Sequence, residues 1–300
     1  MRNKLLTGIS CWLLLLAAAE SPGQDYSWWN RKHRWDGTTP WSAYLILSPA
    51  YMGPNALPVR EVRDGSPPAA PFIEAGPELH LSEGDRTGNL YTRIYVPLFS
   101  DRAGIDLSYV PVEVYRTDTL TRDRRRSREY DAKGTSLGDL YIGTFIHLLR
   151  ERDLLPDLML TVNLKTASGT GFQAARHTDA PGYFFDLSAG KTLHRGTGTI
   201  RLIRAHLQAG FYVYQTNLEN YRQNDAFLYG AGFQLETGRF LIEPHAGGYM
   251  GYLKLGDRPL VGRLDLTFDP PSALLWKLRI QKGSADFPYT SFRFTVRYCF

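Results

Sequence analysis

The ten residues Ser291-Phe292-Arg293-Phe294-Thr295-Val296-Arg297-Tyr298-Cys299-Phe300 decide how the chain is read. A β-strand sends successive side chains to opposite faces. Here Phe292, Phe294, Val296, Tyr298 and Phe300 share one face, while Ser291, Arg293, Thr295, Arg297 and Cys299 share the other. The apolar face must leave water, either against a second protein layer or against hydrocarbon. The opposite face carries two arginines, which need water or anionic partners.

The same period of two recurs upstream. Trp276, Leu278 and Ile280 alternate with Lys277, Arg279 and Gln281; Leu264, Leu266 and Phe268 alternate with Arg263, Asp265 and Thr267. Ile203, Ala205, Leu207, Ala209, Phe211 and Val213 alternate with Arg204, His206, Gln208, Gly210, Tyr212 and Tyr214. Ile73, Ala75, Leu79 and Leu81 alternate with Glu74, Gly76, Glu78 and His80. Soluble β-sandwiches also alternate, but rarely with charges on one face of strand after strand. The pattern predicts twelve strands near residues 71–82, 88–98, 103–116, 138–149, 157–167, 182–193, 199–215, 225–236, 239–254, 259–269, 273–283 and 290–300. If the last strand runs inward, the outer connections include the long segments 117–137 and 168–181, and every inner turn is short. Long outside and short inside is the asymmetry of a membrane barrel. Turn residues such as Thr237-Gly238 and Pro270-Pro271 punctuate the inner breaks.

At the other end, Arg2 and Lys4 precede an apolar run from Leu5 to Ala19, then small residues and the polar stretch Glu20 to Asp25. That order predicts a secretory signal peptide over residues 1–24, with cleavage after Ala19 or Gln24. The run is shorter than the ~20 residues a spanning helix needs, and no later segment is long enough. Although 43% of residues are hydrophobic, they fall in short alternating runs, which suits strands. Of two cysteines, Cys11 lies in the signal and Cys299 near the end, so the mature chain has no internal disulfide, and nothing has zinc-ligand spacing. The net charge of +5 is mild, its basic residues fall in one loop and on one face of certain strands, and they form no nucleic-acid signature.

The signal, the amphipathic strands and the closing aromatic strand together resemble bacterial outer-membrane β-barrel proteins, without indicating a characterised family. The resemblance implies an all-β fold, a transmembrane antiparallel up-and-down β-barrel of about twelve strands over residues 71–300, located in the outer membrane of a Gram-negative bacterium. It implies contact with outer-membrane lipid and lipopolysaccharide, insertion by the barrel-assembly machinery with Tyr298 and Phe300 as the signal, and no cofactor. Residues 25–70 break the pattern. Trp28, Trp29, Trp35 and Trp41 fall within fourteen residues and mix with Pro40, Pro49, Pro54 and Pro58. Disordered segments are poor in aromatics. The segment is therefore expected to pack at the periplasmic mouth or to plug the lumen, with Tyr44–Leu47 as a candidate short strand.

Candidate sites follow from the faces. The lumen should carry Glu74, Glu78, Arg93, Lys165, Arg204, Glu243, Arg263, Asp265, Lys277, Arg279, Arg293 and Arg297. Closure places the first strand beside the last, which would pair Glu74 and Glu78 with Arg293 and Arg297. The charges either fill the interior as a salt-bridge network or set the field of a selective eyelet. In the loop Thr117–Ser136, Arg122, Arg124, Arg125, Arg126 and Arg128 are candidate contacts for lipopolysaccharide phosphate, since arginine matches phosphate bidentately. Otherwise Asp118, Asp123, Glu129 and Asp131 neutralise a solvated loop. His80, His147, His206 and His245 should point inward. The absence of a Gly-x-Ser-x-Gly elbow argues against catalysis. The glycine-rich stretch Thr166–Gly182 is expected to fold inward as a constriction. Three functions compete: a small channel for polar or anionic solutes, a non-conducting barrel that binds other envelope proteins, and a lipid-modifying outer-membrane enzyme.

Overall fold

The computed structural model describes residues 25–98, 102–270 and 272–300; the predicted signal peptide lies outside them. Residues 25–39 belong to a compact unit of their own. It holds the short helix α1 (Ser27–His33), whose last turn gathers Arg31, Lys32 and His33. Arg34 follows in the left-handed conformation and stops the helix.

The second unit, residues 40–300, is the barrel and its contents. Its strands are β1 (Phe72–Ser82), β2 (Asp85–Leu98), β3 (Ala103–Thr117), β4 (Lys133–Ser136), β5 (Tyr141–Leu149), β6 (Asp157–Lys165), β7 (Gly182–Arg195), β8 (Ile200–Gln215), β9 (Gln223–Thr237), β10 (Phe240–Met250), β11 (Pro259–Phe268), β12 (Leu274–Ala285) and β13 (Thr290–Cys299). Twelve of them form one closed antiparallel ring, because β1 pairs with both β2 and β13. The expected transmembrane β-barrel is therefore present. The thirteenth, β4, adds beside the upper part of β3, which continues past its pairing with β5. Alternation could not reveal it, because four residues are too few to show a period. Closure leaves the twelve ring strands no exposed edge in hydrocarbon.

The apolar rows face out. Phe292, Phe294, Trp276, Leu278, Leu264 and Leu266 are all exposed on the barrel wall. A slip of one residue in any pairing would turn these rows inward, so the hydrophobic pattern fixes the register. Connections at one end are short, at 150–156, 196–199 and 238–239; at the other they include 118–132, 166–181 and 251–258. In the segment 118–132, the helix α2 (Thr119–Arg124) is capped by Asp118, whose Oδ1 accepts from the Thr121 N–H at 2.7 Å.

Residues 40–71 form a strap through the lumen. Trp41–Tyr44 is a 3-10 turn, and Leu45 is extended only as its cap, so the expected short strand at Tyr44–Leu47 is corrected. Lying inside the lumen, the segment has no adjacent strand edge to pair with. Near the long loops, Arg126 donates to the Tyr44 carbonyl, Ala50 N–H to Gly256, and Gly53 N–H to Ala175. Lower down, the Tyr249 hydroxyl donates to the Leu57 carbonyl, and Arg263 to the carbonyls of Val59 and Arg60. At the short-turn end Arg204 donates to the Asp64 carbonyl at 2.9 Å. Irregular backbone at membrane depth survives only where protein satisfies it. Seven prolines, from Pro40 to Pro71 inclusive, reduce the number of N–H groups that need partners. The hydrophobic core also lies in the lumen. Leu45, Leu47, Met52, Leu57 and Val59 of the strap pack among Phe184, Tyr212, Tyr214, Tyr249, Phe287 and Tyr289.

The strap leaves the lumen against β7 at a glycine pair. Gly65 has φ +87, and a Cβ on Gly190 would overlap the Asp64 carbonyl oxygen. Gly190→Val is therefore expected to push the lower strap off the wall. Trypsin should then cleave after Arg63 in the folded barrel, where the wild type resists. An unchanged digestion pattern would count against close strap–wall contact.

Candidate functional site

The strap places Arg60, Glu61 and Arg63 at mid-lumen, and Glu61 is the hub. Its carboxylate lies 2.6 Å from Arg279 Nη1, 3.3 Å from Arg93 Nη1 and 3.5 Å from Arg293 Nη1. Each arginine also has a carboxylate on the wall. Arg279 grips Asp265 with Nε and Nη2 at 2.6 and 2.7 Å, the bidentate geometry suited to guanidinium. Arg93 holds Asp106 at 2.6 Å and Arg293 holds Glu78 at 2.9 Å. Lys277 lies 2.8 Å from Asp265 and 3.9 Å from Glu243. Where β1 meets β13, Arg297 lies 2.6 Å from Glu74. Both pairs anticipated from closure are thus in contact. Rings support the guanidinium planes: Arg293 stacks 3.7 Å from the Tyr91 centroid, and Arg63 4.1 Å from Phe145. Beside the strap lies a cavity of about 90 Å³ lined by Arg60, Glu61, Arg63, Arg93, Arg279 and Arg293 among others. Arg263 differs from its neighbours, donating to Gln281 and to strap carbonyls instead of a carboxylate.

Toward the short turns, Arg204 joins Asp157 at 2.6 Å and Glu151 at 2.8 Å. Burial raises the Glu151 carboxyl, but donation from the Thr192 hydroxyl and N–H, with Lys191 and Arg204 nearby, brings it down to about 2.

Toward the long loops, segment 166–181 folds over the mouth. Arg176 is fully buried and binds Glu113 and Asp85, each at 2.8 Å, and the Thr87 hydroxyl at 2.7 Å. These carboxylates raise its proton affinity despite desolvation. Lys165 is buried against Asp139 at 2.8 Å. Beside it His177 is buried with Glu113 at 3.7 Å, Asp139 at 4.0 Å, and the cations Arg176 and Lys165 around it. Burial outweighs the two carboxylates and lowers its pKa from 6.5. A depressed folded-state value means the unfolded loop binds the proton more readily, so docking is strongest above about 6.5 and weakens as pH falls below it. Hydrogen exchange in 166–181 is expected to accelerate below pH 6.5 in the wild type, and less in His177→Gln. Equal pH dependence in both would remove His177 from the account.

The structure sorts the anticipated loop arginines differently. Arg125 is corrected: it is buried, bonds Asp85 at 2.6 Å and Tyr289 at 2.7 Å, and does not face lipid. Arg122 lies 2.8 Å from Asp123 and donates to the Tyr130 carbonyl. Arg126 is exposed but holds the strap at Tyr44, and Arg128 stacks on Trp41. Arg124 is exposed. On the outer wall, Tyr298 and Phe300 stack with centroids 6.1 Å apart. His80, His206 and His245 are buried, and His147 pairs with Asp157 at 2.9 Å. His80 Nδ1 meets Ser291 Oγ at 2.7 Å, with Asn89 on its other nitrogen at 3.0 Å. Ser291 is buried, and of the pair only His80 lines the cavity. Among the described residues no cluster of His, Cys, Asp and Glu could hold a metal. Sequence reasoning missed the strap charges and Arg176. The only trace of the former was Arg60-Glu61-Val62-Arg63-Asp64 between Pro58 and Pro67, charged residues in an otherwise mostly apolar and proline-rich segment.

No protein-family model matches this sequence, and no curated protein aligns with it significantly. Solved structures do resemble it. An outer membrane channel from Pseudomonas putida F1 aligns at a TM-score of 0.54 and 12% identity, covering 80% of this chain and 98% of that one. The transport unit of the autotransporter AIDA-I from Escherichia coli aligns at 0.49 and 10% identity, covering 82% and 95%. The KdgM porin in complex with oligogalacturonate aligns at 0.48 and 10%, covering 76% and 99%. The likeness to the Pseudomonas channel is one of fold, that of a bacterial outer-membrane β-barrel.

Proposed function

We propose that the protein is an outer-membrane channel-type barrel of a Gram-negative bacterium, held shut by its own strap, that passes polar or anionic solutes when the strap moves. The observation that carries this is Glu61. Its carboxylate sits among Arg93, Arg279 and Arg293, the position a solute anion would take in an arginine-lined constriction. The mid-lumen contact between strap and wall is ionic, and charges on both sides can be rehydrated when they part. The pathway is the charged lining that includes Arg93, Arg263, Arg279 and Arg293, and Glu61 is its gate.

The rival reading is a non-conducting barrel that binds other envelope proteins. It is favoured by the strap's run from one end of the lumen to the other. Planar-bilayer recording separates the two. The channel reading expects rare openings with anion-selective reversal potentials in the wild type. Silence in both the wild type and a strap-deleted chain would favour the rival.

A further inference from the structure

We propose that the outer wall at the tops of β2, β3 and β4 binds the phosphorylated headgroup of an acylated outer-leaflet lipid through Arg86, Arg116 and Lys133. The pairing register sets Arg86 opposite Arg116, and Arg116 opposite Lys133, so three cations lie side by side on contiguous strands. All three point outward and are exposed. Directly opposed residues on paired strands lie about 5 Å apart, and like charges so placed repel. Among the described residues no carboxylate lies within 4.0 Å of any of them. Glu83 and Asp118 share the neighbouring depression with Arg86 and Arg116, but the Asp118 carboxylate caps α2. The fold thus keeps a repulsive row without a direct ion pair, and Glu83 in the depression offsets it only at longer range.

The wall beneath the row supplies the second observation. Two residues below Arg86 on the same face is Gly88, and a Cβ there would meet nothing within 4 Å. Its cross-strand partners Leu79 and Val114 are both exposed. The glycine therefore floors an apolar notch between them, directly under the cations. A triple cation above an apolar notch at the long-loop end matches one chemistry: a lipid with phosphate at the headgroup and several chains below. The site is separate from the lumen and independent of any transport role.

Native mass spectrometry of the purified barrel tests this, with heat-modifiable electrophoretic migration confirming folding. The probes are lipid A with its phosphates, dephosphorylated lipid A, and inorganic phosphate. The wild type is expected to retain phosphorylated lipid A. The triple variant R86Q/R116Q/K133Q should hold it about 100-fold less tightly, at about a factor of five per cation. Gly88→Leu keeps the cations, fills the notch, and should also weaken retention. Equal retention of dephosphorylated lipid A would overturn the role of the cations. Displacement by inorganic phosphate at equal concentration would overturn the lipid assignment in favour of a free-anion site. A folded wild type that holds no lipid A would overturn the proposal outright.

Discussion

Excising residues 40–70 is expected to turn a mostly silent barrel into one that conducts continuously in a planar bilayer. The ring should survive, because the β1–β13 closure and the other ladders do not involve the strap. The cost falls on the lumen. Leu45, Leu47, Met52, Leu57 and Val59 lose their burial, and so do the aromatics around them. Each such side chain is worth about 1.5–3 kcal/mol when fully buried. The truncated barrel should therefore unfold in detergent at a lower temperature while still migrating as a folded species at room temperature. Its current should favour anions, because Arg93, Arg263, Arg279 and Arg293 would line an open constriction. A folded truncated barrel without current would end the reading of the strap as the gate, and silence that persists when segment 166–181, which folds over the mouth, is also removed would end the channel reading.

The second large effect is expected at Glu61. Replacing it with alanine leaves Arg93, Arg279 and Arg293 facing one another without the strap carboxylate. Breaking a buried ion pair on one side costs about 3–5 kcal/mol. The low end applies here, because the Glu61 side chain is 24% exposed and Asp106, Asp265 and Glu78 still neutralise one arginine each. At about 3 kcal/mol the undocked population rises roughly 100-fold. Two readouts should move together: open probability in the bilayer, and tryptic cleavage after Arg60 and Arg63. Multivalent carboxylates in the bath should bind the vacated arginines of E61A and change its current, with little effect on the wild type. If E61A gates and digests like the wild type, the carboxylate is packing and not a gate. The lipid site on the wall is untouched by either outcome.

The local period of two already says which side chains face hydrocarbon. Phe292, Trp276 and Leu264 can be placed outward, and Arg293, Lys277 and Arg263 inward, from one strand at a time, because pleating is a property of the backbone alone. The contacts of Glu74 with Arg297 and Glu78 with Arg293 follow from adding closure of the ring. Twelve strands were legible because each spans about ten residues or more of alternation, whereas β4 was not.

What only the tertiary structure decided is where the irregular pieces go. The strap has no period, so its place depends on partners that lie more than a hundred residues away, such as Arg204, Tyr249, Arg263 and Arg279. The loop arginines make the same point. Arg125 and Arg126 are neighbours in the chain, yet one is buried against Asp85 and the other is exposed at the strap. The left-handed turn at Arg126, φ 56, helps part them. Patterned strands carry their own orientation in the sequence. An unpatterned segment takes its orientation from whatever charges and cavities the finished barrel presents, and those exist only once the first strand has met the last.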